Sequence, residues 1–237
     1  MYQLLQMKIL IVCATLNEFN PGSLIEPVSG VISFSFPYSF RNLDITVLVT
    51  GAGMVNTVYH LQKQLIHTKF DLAINAGIAG CFKKETESGT VFHVVSDCFG
   101  DFGAEDDDLF IPAASLGLME NDLFPFQNGK LINQESHSLL TLKGLPAASS
   151  VTVNTVHGKD SSIRSVKEHF HPDLESMEGA SFFYVCLLEK IPCIQLRAVS
   201  NYIEKRNRDA WNMPLAISNL EKTMILLLSE IADRRTI

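Results

Sequence analysis

The sequence predicts an α/β protein with one domain, in which helices flank a central, mixed and twisted sheet. Short apolar runs of strand length alternate along the chain with amphipathic runs of helical length, which is typical of a sheet covered on both faces. The 237 residues, 46% of them hydrophobic, suffice for one large core. No repeat or linker-like stretch divides the chain. We therefore assign residues 1–237 to a single domain, with residues 1–6 as an extra N-terminal stretch.

The first third of the chain predicts three strands. Residues 7–14 form a continuous apolar run, as expected for a strand that is buried on both faces. This run is followed by polar residues up to Glu18, and residues 20–22 (Asn-Pro-Gly) then predict a break. Alternating apolar and serine residues predict a half-buried strand over 31–36, and β-branched residues predict another over 44–50.

A glycine-rich turn follows the third strand. Gly51 and Gly53 precede a helix that we predict to run to about His67. The order of strand, GxG turn and helix is shared with dinucleotide-binding motifs, but the sixth position is Asn56 instead of glycine. We therefore interpret the motif as a tight turn whose glycines let the backbone approach a ligand or a neighbouring segment closely.

The middle of the chain predicts further strands over residues 70–75, 90–98 and 149–156. The small residues 76–80 predict a second turn at a strand end. Residues 100–108 are the most acidic run, and we favour a solvated loop there because the alternating carboxylates of calcium loops are absent. Residues 109–148 are rich in Pro, Gly and Asn, which predicts an irregular connection.

The C-terminal third carries the segment around which we expect a ligand site. Glu178 opens an apolar run with helical spacing, and the next strand ends in the polar residues Ser200 and Asn201. Open α/β sheets place ligands at such polar strand ends. A short helix is predicted over 161–170, and an amphipathic helix over about 214–231.

Charge and cysteine content limit the classes of function. The net charge of -7 disfavours binding to nucleic acid, which normally requires a basic surface. No apolar run reaches the length of a membrane span, and we expect neither a membrane partner nor a secretory leader. The five cysteines form no CxxC pair, so we expect buried thiols and a cytoplasmic location.

The histidines do not predict a metal site. His157, His169 and His171 share no recognised ligand spacing, and we expect them to lie on the surface or in loops. We expect no metal and no cofactor.

Three polar side chains at the ends of predicted elements are candidates for chemistry: Glu18, Glu178 and Asn201. If the strand ends converge, two carboxylates and an amide could perform acid–base chemistry on a sugar-like substrate. Alternatively, Glu178 is an ordinary acid in the first turn of a helix and Glu18 is a surface residue. The residues alone leave both interpretations open.

Several motifs resemble those of the nucleoside phosphorylase/nucleosidase superfamily. They are MKILIVCATLNE from Met7, NAGIAG (75–80), GDFGAEDDD (100–108), ESMEG (175–179), and RAVSN followed by RNRDAW (197–211). The third and the last resemble the futalosine hydrolase branch. The resemblance implies a nucleoside phosphorylase-like fold, a homodimer, and hydrolysis of futalosine with release of hypoxanthine in menaquinone biosynthesis. Two alternatives remain: an adenine-releasing nucleosidase for methylthioadenosine, S-adenosylhomocysteine or aminofutalosine, and a nucleoside-binding protein without activity.

The resemblance also implies roles for single residues. Glu18 matches the carboxylate that activates the attacking water. Glu178 matches the acid that binds the ribose hydroxyls, and Met177 matches a residue that packs beside the sugar. Asn201 falls at the position that recognises the base next to N7. The positions expected to line the base are Ala79, Gly80, Thr155 and Val156.

The benzoate group of futalosine requires a cation or hydrogen-bond donors. Arg206 and Arg208 are candidates because they follow the strand that binds the base. Alternatively, they pair with the acidic residues 105–108 as a structural clasp.

Two chemical arguments refine the expected activity. The side chain of Asn201 offers an NH₂ donor, which suits a 6-oxopurine because its N7 and O6 are both acceptors; the adenine-cleaving relatives carry Asp there. Residues 75–78 contain neither the Arg nor the Ser with which phosphorylases hold phosphate. Water is therefore the expected nucleophile, although Asn201 cannot itself give up a proton to the departing base.

Overall fold

The computed structural model describes residues 6–19, 34–107, 109–133 and 138–234. The strands are β1 (Met7–Cys13), β2 (Phe34–Phe40), β3 (Leu43–Val49), β4 (Leu72–Cys81), β5 (Val91–Asp97), β6 (Gly103–Asp106), β7 (Leu109–Pro112), β8 (Phe126–Gln127), β9 (Lys130–Ile132), β10 (Ala147–Thr152), β11 (Leu174–Ser176) and β12 (Cys193–Tyr202). The helices are α1 (Met54–His67), α2 (Leu140–Lys143), α3 (Asp160–Phe170), α4 (Gly179–Leu188) and α5 (Met213–Arg234), and a 3₁₀ turn spans Arg208–Ala210.

The strands form one mixed sheet with a closed part. Its order is β2-β3-β1-β4-β11-β10-β5-β9-β8, and β12 pairs with both β4 and β5. Strands β4, β11, β10, β5 and β12 therefore close into a ring, while β1, β3 and β2 extend the sheet from β4. The ring brings the ends of β4, β11 and β12 together.

Helices cover both faces of the sheet. Helix α5 packs against β12, β4 and β5, and its buried face includes Leu220, Met224 and Leu227. Helices α1 and α4 pack against each other on the opposite face. Helix α4 is apolar on all sides, and such a helix is stable only when it is buried. The predicted α/β class and mixed sheet are confirmed.

Most elements lie where the sequence predicts them. Strand β2 alternates between half-buried and exposed residues, as the serine alternation indicates. Residues 31–33 of that prediction, and the predicted break at 20–22, lie outside the described residues. All five cysteines are buried, and none forms a disulfide. In the described part of the chain, no helix is long and apolar enough to span a membrane.

The predicted turn at residues 76–80 is wrong, because β4 continues through these residues to Cys81. Strand β12 pairs with β4 in parallel along this stretch, from Ala73 opposite Cys193 onwards. Small residues are required here for close packing. A Cβ atom added to Gly77 would lie 2.4 Å from Nη1 of Arg197.

Other boundaries also differ from the prediction. The acidic run is not a plain loop, because β6 pairs with β7 as an exposed antiparallel ribbon. Strand β10 ends at Thr152, so residues 153–156 follow the strand instead of belonging to it. Strands β7, β8 and β9 and helix α2 lie within the stretch predicted to be irregular. Strand β11 has three residues, too few to give a periodic signal.

Candidate active site

Glu18 lies in the turn after β1, and backbone groups hold its carboxylate. Its Oε2 atom accepts hydrogen bonds from the N–H groups of Ala14 (2.9 Å) and Thr15 (3.0 Å). Its Oε1 atom accepts one from the N–H of Ile78 in β4, at 3.3 Å. The side chain is buried, with 8% of the residue exposed. Glu18 is therefore fixed between the end of β1 and the middle of β4.

The surroundings make Glu18 a weaker acid than an ordinary glutamate. Burial and the nearby charge of Glu178 raise the pKa of its carboxyl to about 7, while Arg197 opposes the rise. A carboxylate whose pKa lies near neutral pH is suited to accept a proton from water. The interaction also places Glu178, 160 residues away in the chain, close to Glu18.

Glu178 precedes α4 as its N-cap residue and contacts the start of α1. Its Oε1 atom accepts a hydrogen bond from the N–H of Gly53, at 3.0 Å. Gly53 has φ of 93°, a conformation that favours glycine. The glycine-rich turn therefore lets the backbone approach a neighbouring segment, in agreement with the interpretation of the GxG motif as a tight turn.

Arg197 is a buried cation of this site that sequence reasoning missed. It is 1% exposed, and its guanidinium Nη2 donates to Oδ1 of Asn75. A Cβ atom on Gly77 would meet both Nη1 of Arg197 (2.4 Å) and Oε1 of Glu18 (3.1 Å). An arginine inside an otherwise apolar strand is the signal that could have revealed it, since a buried arginine requires partners.

Asn201 lies at the end of β12, next to Gly80 of β4. Its Oδ1 atom accepts a hydrogen bond from Oγ of Ser200 (2.8 Å), and its Nδ2 atom donates to the carbonyl of Tyr202 (3.2 Å). A cleft opens beside it. The cleft is lined by Gly80, Val156, His157, Gly158, Glu175, Asn201, Tyr202, Ile203, Glu204, Lys205, Arg206, Asn207, Ala210 and Trp211.

His157 lies in the loop between β10 and α3, as predicted, but it also lines the same cleft and is paired with a buried carboxylate. Its Nδ1 atom contacts Oε2 of Glu175, and its backbone N–H donates to Oε1 of Glu175 at 3.0 Å. The side chain of Glu175 is fully buried (0% exposed), and that of His157 is 14% exposed. The pairing depends on the short strand β11, which is why the sequence does not predict it.

Strand β4 connects the two groups of side chains. A Cβ atom on Gly77 would meet Arg197 and Glu18, and one on Gly80 would meet Ile203 and Asn201. The two positions are three residues apart, about 10 Å along the strand, and because side chains alternate they point to opposite faces of β4.

Residues 8–229 match the sequence model of the phosphorylase superfamily. This chain belongs to the phosphorylase superfamily. It is similar to the futalosine hydrolase of Thermus thermophilus, with 28% identity over 91% of this chain and 96% of that protein. It is also similar to the futalosine hydrolase of Streptomyces coelicolor, with 31% identity over 64% of this chain; the match spans 62% of that protein's length.

A solved structure confirms the superfamily fold. The 5′-methylthioadenosine/S-adenosylhomocysteine nucleosidase of Colwellia psychrerythraea, solved in complex with adenine, aligns with a TM-score of 0.78. The alignment covers 95% of this chain and 96% of that chain at 16% identity.

The remaining predicted base and sugar residues of this superfamily member lie near the same cleft or the two acids. Ala79 is buried, and its carbonyl accepts from Oγ of Ser200 at 3.3 Å. Met177 is half-buried beside Glu178. Val156 lines the cleft of Asn201, whereas Thr155 lines an adjoining cavity behind it.

Arg206 and Arg208 are placed differently. Arg206 lines the cleft, and its guanidinium lies 5.5 Å from the ring centre of Trp211. Arg208 lies in the exposed 3₁₀ turn. Across the described ranges, no salt bridge joins either arginine to residues 105–107 of the acidic run, and residue 108 is outside those ranges.

Proposed function

We propose that this protein hydrolyses the N-glycosidic bond of futalosine and releases hypoxanthine. The observation that carries the proposal is the buried pair of Glu18 and Glu178, in which the pKa of Glu18 is raised to about 7. The similarity to proteins named futalosine hydrolase supports the choice of substrate.

Glu18 acts on the attacking water in this mechanism. Its ionised form accepts a proton from water as the oxygen approaches the sugar, a contribution of roughly 10²–10⁴-fold to the rate. Three backbone N–H groups hold the carboxylate in one orientation. The buried Arg197 favours the ionised form, because it opposes the rise in the pKa of Glu18.

Glu178 binds the ribose. Positive charge builds on the sugar as the bond to the base lengthens, and a buried carboxylate beside the ring stabilises that charge. Met177 packs beside the sugar. The hydrogen bond from Gly53 orients the carboxylate of Glu178 without neutralising it.

Asn201 selects the base. Its amide donates hydrogen bonds to N7 and O6 of a 6-oxopurine. Residues 79–80 and 155–156 line the rest of the base site. The alternative is an adenine-releasing nucleosidase, for which an aspartate at this position would be expected. Leaving a buried polar group of the wrong base unpaired would cost about 1–3 kcal/mol, so Asn201 favours hypoxanthine.

Water is favoured over phosphate as the nucleophile. Residues 75–78 supply no cation or hydroxyl group, and the amide of Asn75 is occupied by Arg197 and by the carbonyl of Val12. Arg206, which lines the cleft, is our candidate for contacting the carboxylate of the benzoate group; Arg208 is the second candidate.

We also propose a cytoplasmic homodimer. Helix α1 presents several exposed apolar side chains, among them Val55 (79% exposed), Tyr59 (60%) and Ile66 (71%). They continue into an apolar groove with Phe99 and Tyr184, and a second copy would cover this face. Five buried cysteines without a disulfide fit a reducing compartment.

The function is tested by assaying futalosine, inosine and methylthioadenosine in parallel, with and without phosphate. Release of hypoxanthine from futalosine, at a rate independent of phosphate, is the expected result. Faster release of adenine from methylthioadenosine would favour the adenine-releasing nucleosidase. Absence of turnover with all three substrates would reject the proposed enzymatic activity.

A further inference from the structure

In the proposed mechanism, no residue has yet been assigned to protonate the leaving base. A departing hypoxanthine accumulates negative charge, and a proton delivered to the base lowers the barrier for its departure. The amide of Asn201 donates a hydrogen bond but retains its protons. A proton donor must therefore come from another group that faces the base.

We propose that His157, positioned by Glu175, is the general acid that protonates the leaving base. This inference rests on the proposed function. His157 lines the same cleft as Asn201 and Gly80. Strand β11 sets Glu175 directly opposite Gly80 in the antiparallel pair with β4. The imidazole therefore lines the cleft that also holds Asn201, the residue proposed to contact the base.

The hydrogen bonds of the pair fix which nitrogen faces the base. Both oxygens of Glu175 accept from His157, one from its backbone N–H and one from Nδ1. The carboxylate side chain has no exposed surface, so it holds the imidazole in one orientation. Within the described residues, Nε2 of His157 makes no hydrogen bond, so in the doubly protonated imidazole its N–H is available to a ligand.

The other titratable groups of the cleft are less suited to this task. The hydroxyl of Tyr202 donates to the carbonyl of Thr86 at 2.7 Å. Glu204 is bonded to Lys84, also at 2.7 Å. Lys205 and Arg206 are exposed, and an arginine does not release its proton in proteins.

The step balances. The proton on Nε2 of His157 moves to a ring nitrogen of the base, while the electron pair of the glycosidic bond stays with the base. The oxygen of water bonds to the sugar carbon, and one proton of that water moves to Glu18. Glu18 then loses its proton to solvent, and His157 takes one up, so the enzyme returns to its starting state.

The test compares leaving groups on one sugar. Futalosine and its analogues with 6-chloropurine and p-nitrophenol as leaving groups are assayed with the wild type, His157→Gln and Glu175→Gln. A leaving group that is stable as an anion needs no proton. We therefore expect His157→Gln to lose roughly 10²–10⁴-fold in kcat with futalosine, but much less with the p-nitrophenyl compound.

Two further variants complete the experiment. Glu18→Gln should lose activity with every leaving group, because water must still be activated. His169→Gln is a control, since His169 lies exposed on α3 and contacts Ser165. Glu175→Gln should show the same dependence on the leaving group as His157→Gln, with smaller losses. Its amide can retain the contacts to His157, so this variant replaces His157→Gln in the comparison if His157→Gln does not fold.

The results distinguish failure of this inference from failure of the proposed function. Equal losses of His157→Gln and Glu175→Gln with all three leaving groups would assign the pair to structure and overturn the inference. No turnover of futalosine by the wild type would overturn the proposed function itself, and this inference with it, before any variant is compared.

Discussion

The two ends of the site are built in different ways. At the sugar end, the carboxylates of Glu18 and Glu178 accept hydrogen bonds from backbone N–H groups. At the proposed base end, side chains also hold one another, as in the pairs of His157 with Glu175 and of Ser200 with Asn201, in addition to hydrogen bonds with the backbone of His157 and Tyr202. A contact made by the backbone is fixed by the fold, whereas a contact between two side chains changes when either residue is substituted. If the proposed roles hold, ribose binding depends on the backbone of the fold, and base choice depends in addition on a few exchangeable side chains.

The largest effect is expected at the sugar end. Glu18→Gln should reduce kcat by roughly 10²–10⁴-fold and leave the affinity for futalosine nearly unchanged, because the amide keeps the shape but cannot accept the proton of water. Steady-state kinetics and calorimetric titration measure the two quantities. Glu168→Gln, on the exposed face of α3, is the matched control, and wild-type turnover in Glu18→Gln would remove Glu18 from the mechanism.

A smaller effect is expected at the base end. Asn201→Asp should lower kcat/KM for futalosine by about 5- to 150-fold, the equivalent of roughly 1–3 kcal/mol for an unpaired polar group. The same variant should raise kcat/KM for methylthioadenosine, because an aspartate can accept a hydrogen bond from the exocyclic amine of adenine. Competition between the two substrates measures the ratio. If the ratio is unchanged, Asn201 does not select the base.

The pH dependence of the rate tests whether the two acids act on each other. Since the pKa of Glu18 is raised to about 7 and its ionised form is the base, kcat/KM should fall as the pH drops below about 7. The charge of Glu178 contributes to the rise, so Glu178→Gln should move this acidic limb to lower pH. A limb at the same pH in Glu178→Gln would show that the two carboxylates do not interact.

The smallest effect is expected at the rim of the cleft. Arg206→Ala should raise KM for futalosine several-fold, as expected for a partly exposed ion pair, and leave KM for inosine unchanged. Arg208→Glu compares the second candidate, which does not line the cleft. If futalosine affinity is unchanged in both variants, neither arginine binds the benzoate group.

The elements that carry the proposed sugar end are easier to predict from the sequence than those that carry the proposed base end, for a physical reason. Glu18 follows the apolar strand β1 and Glu178 precedes the apolar helix α4, and both elements are continuous apolar runs that are easily recognised in the sequence. The pair of His157 and Glu175 depends on a three-residue strand and on a loop, which give no such signal. Arg197 and residues 76–80 are linked, because Gly77, one of the small residues of β4 that resemble a turn, makes room for the side chain of Arg197 from the neighbouring strand β12.

The most direct test of the proposed sugar and base ends of the site is a crystal structure of the Glu18→Gln variant with futalosine bound. We expect the ribose hydroxyls within hydrogen-bond distance of Glu178, and the hypoxanthine ring between Asn201 and Nε2 of His157. A nucleoside bound in the reverse orientation, or in the apolar groove beside α1, would contradict the account.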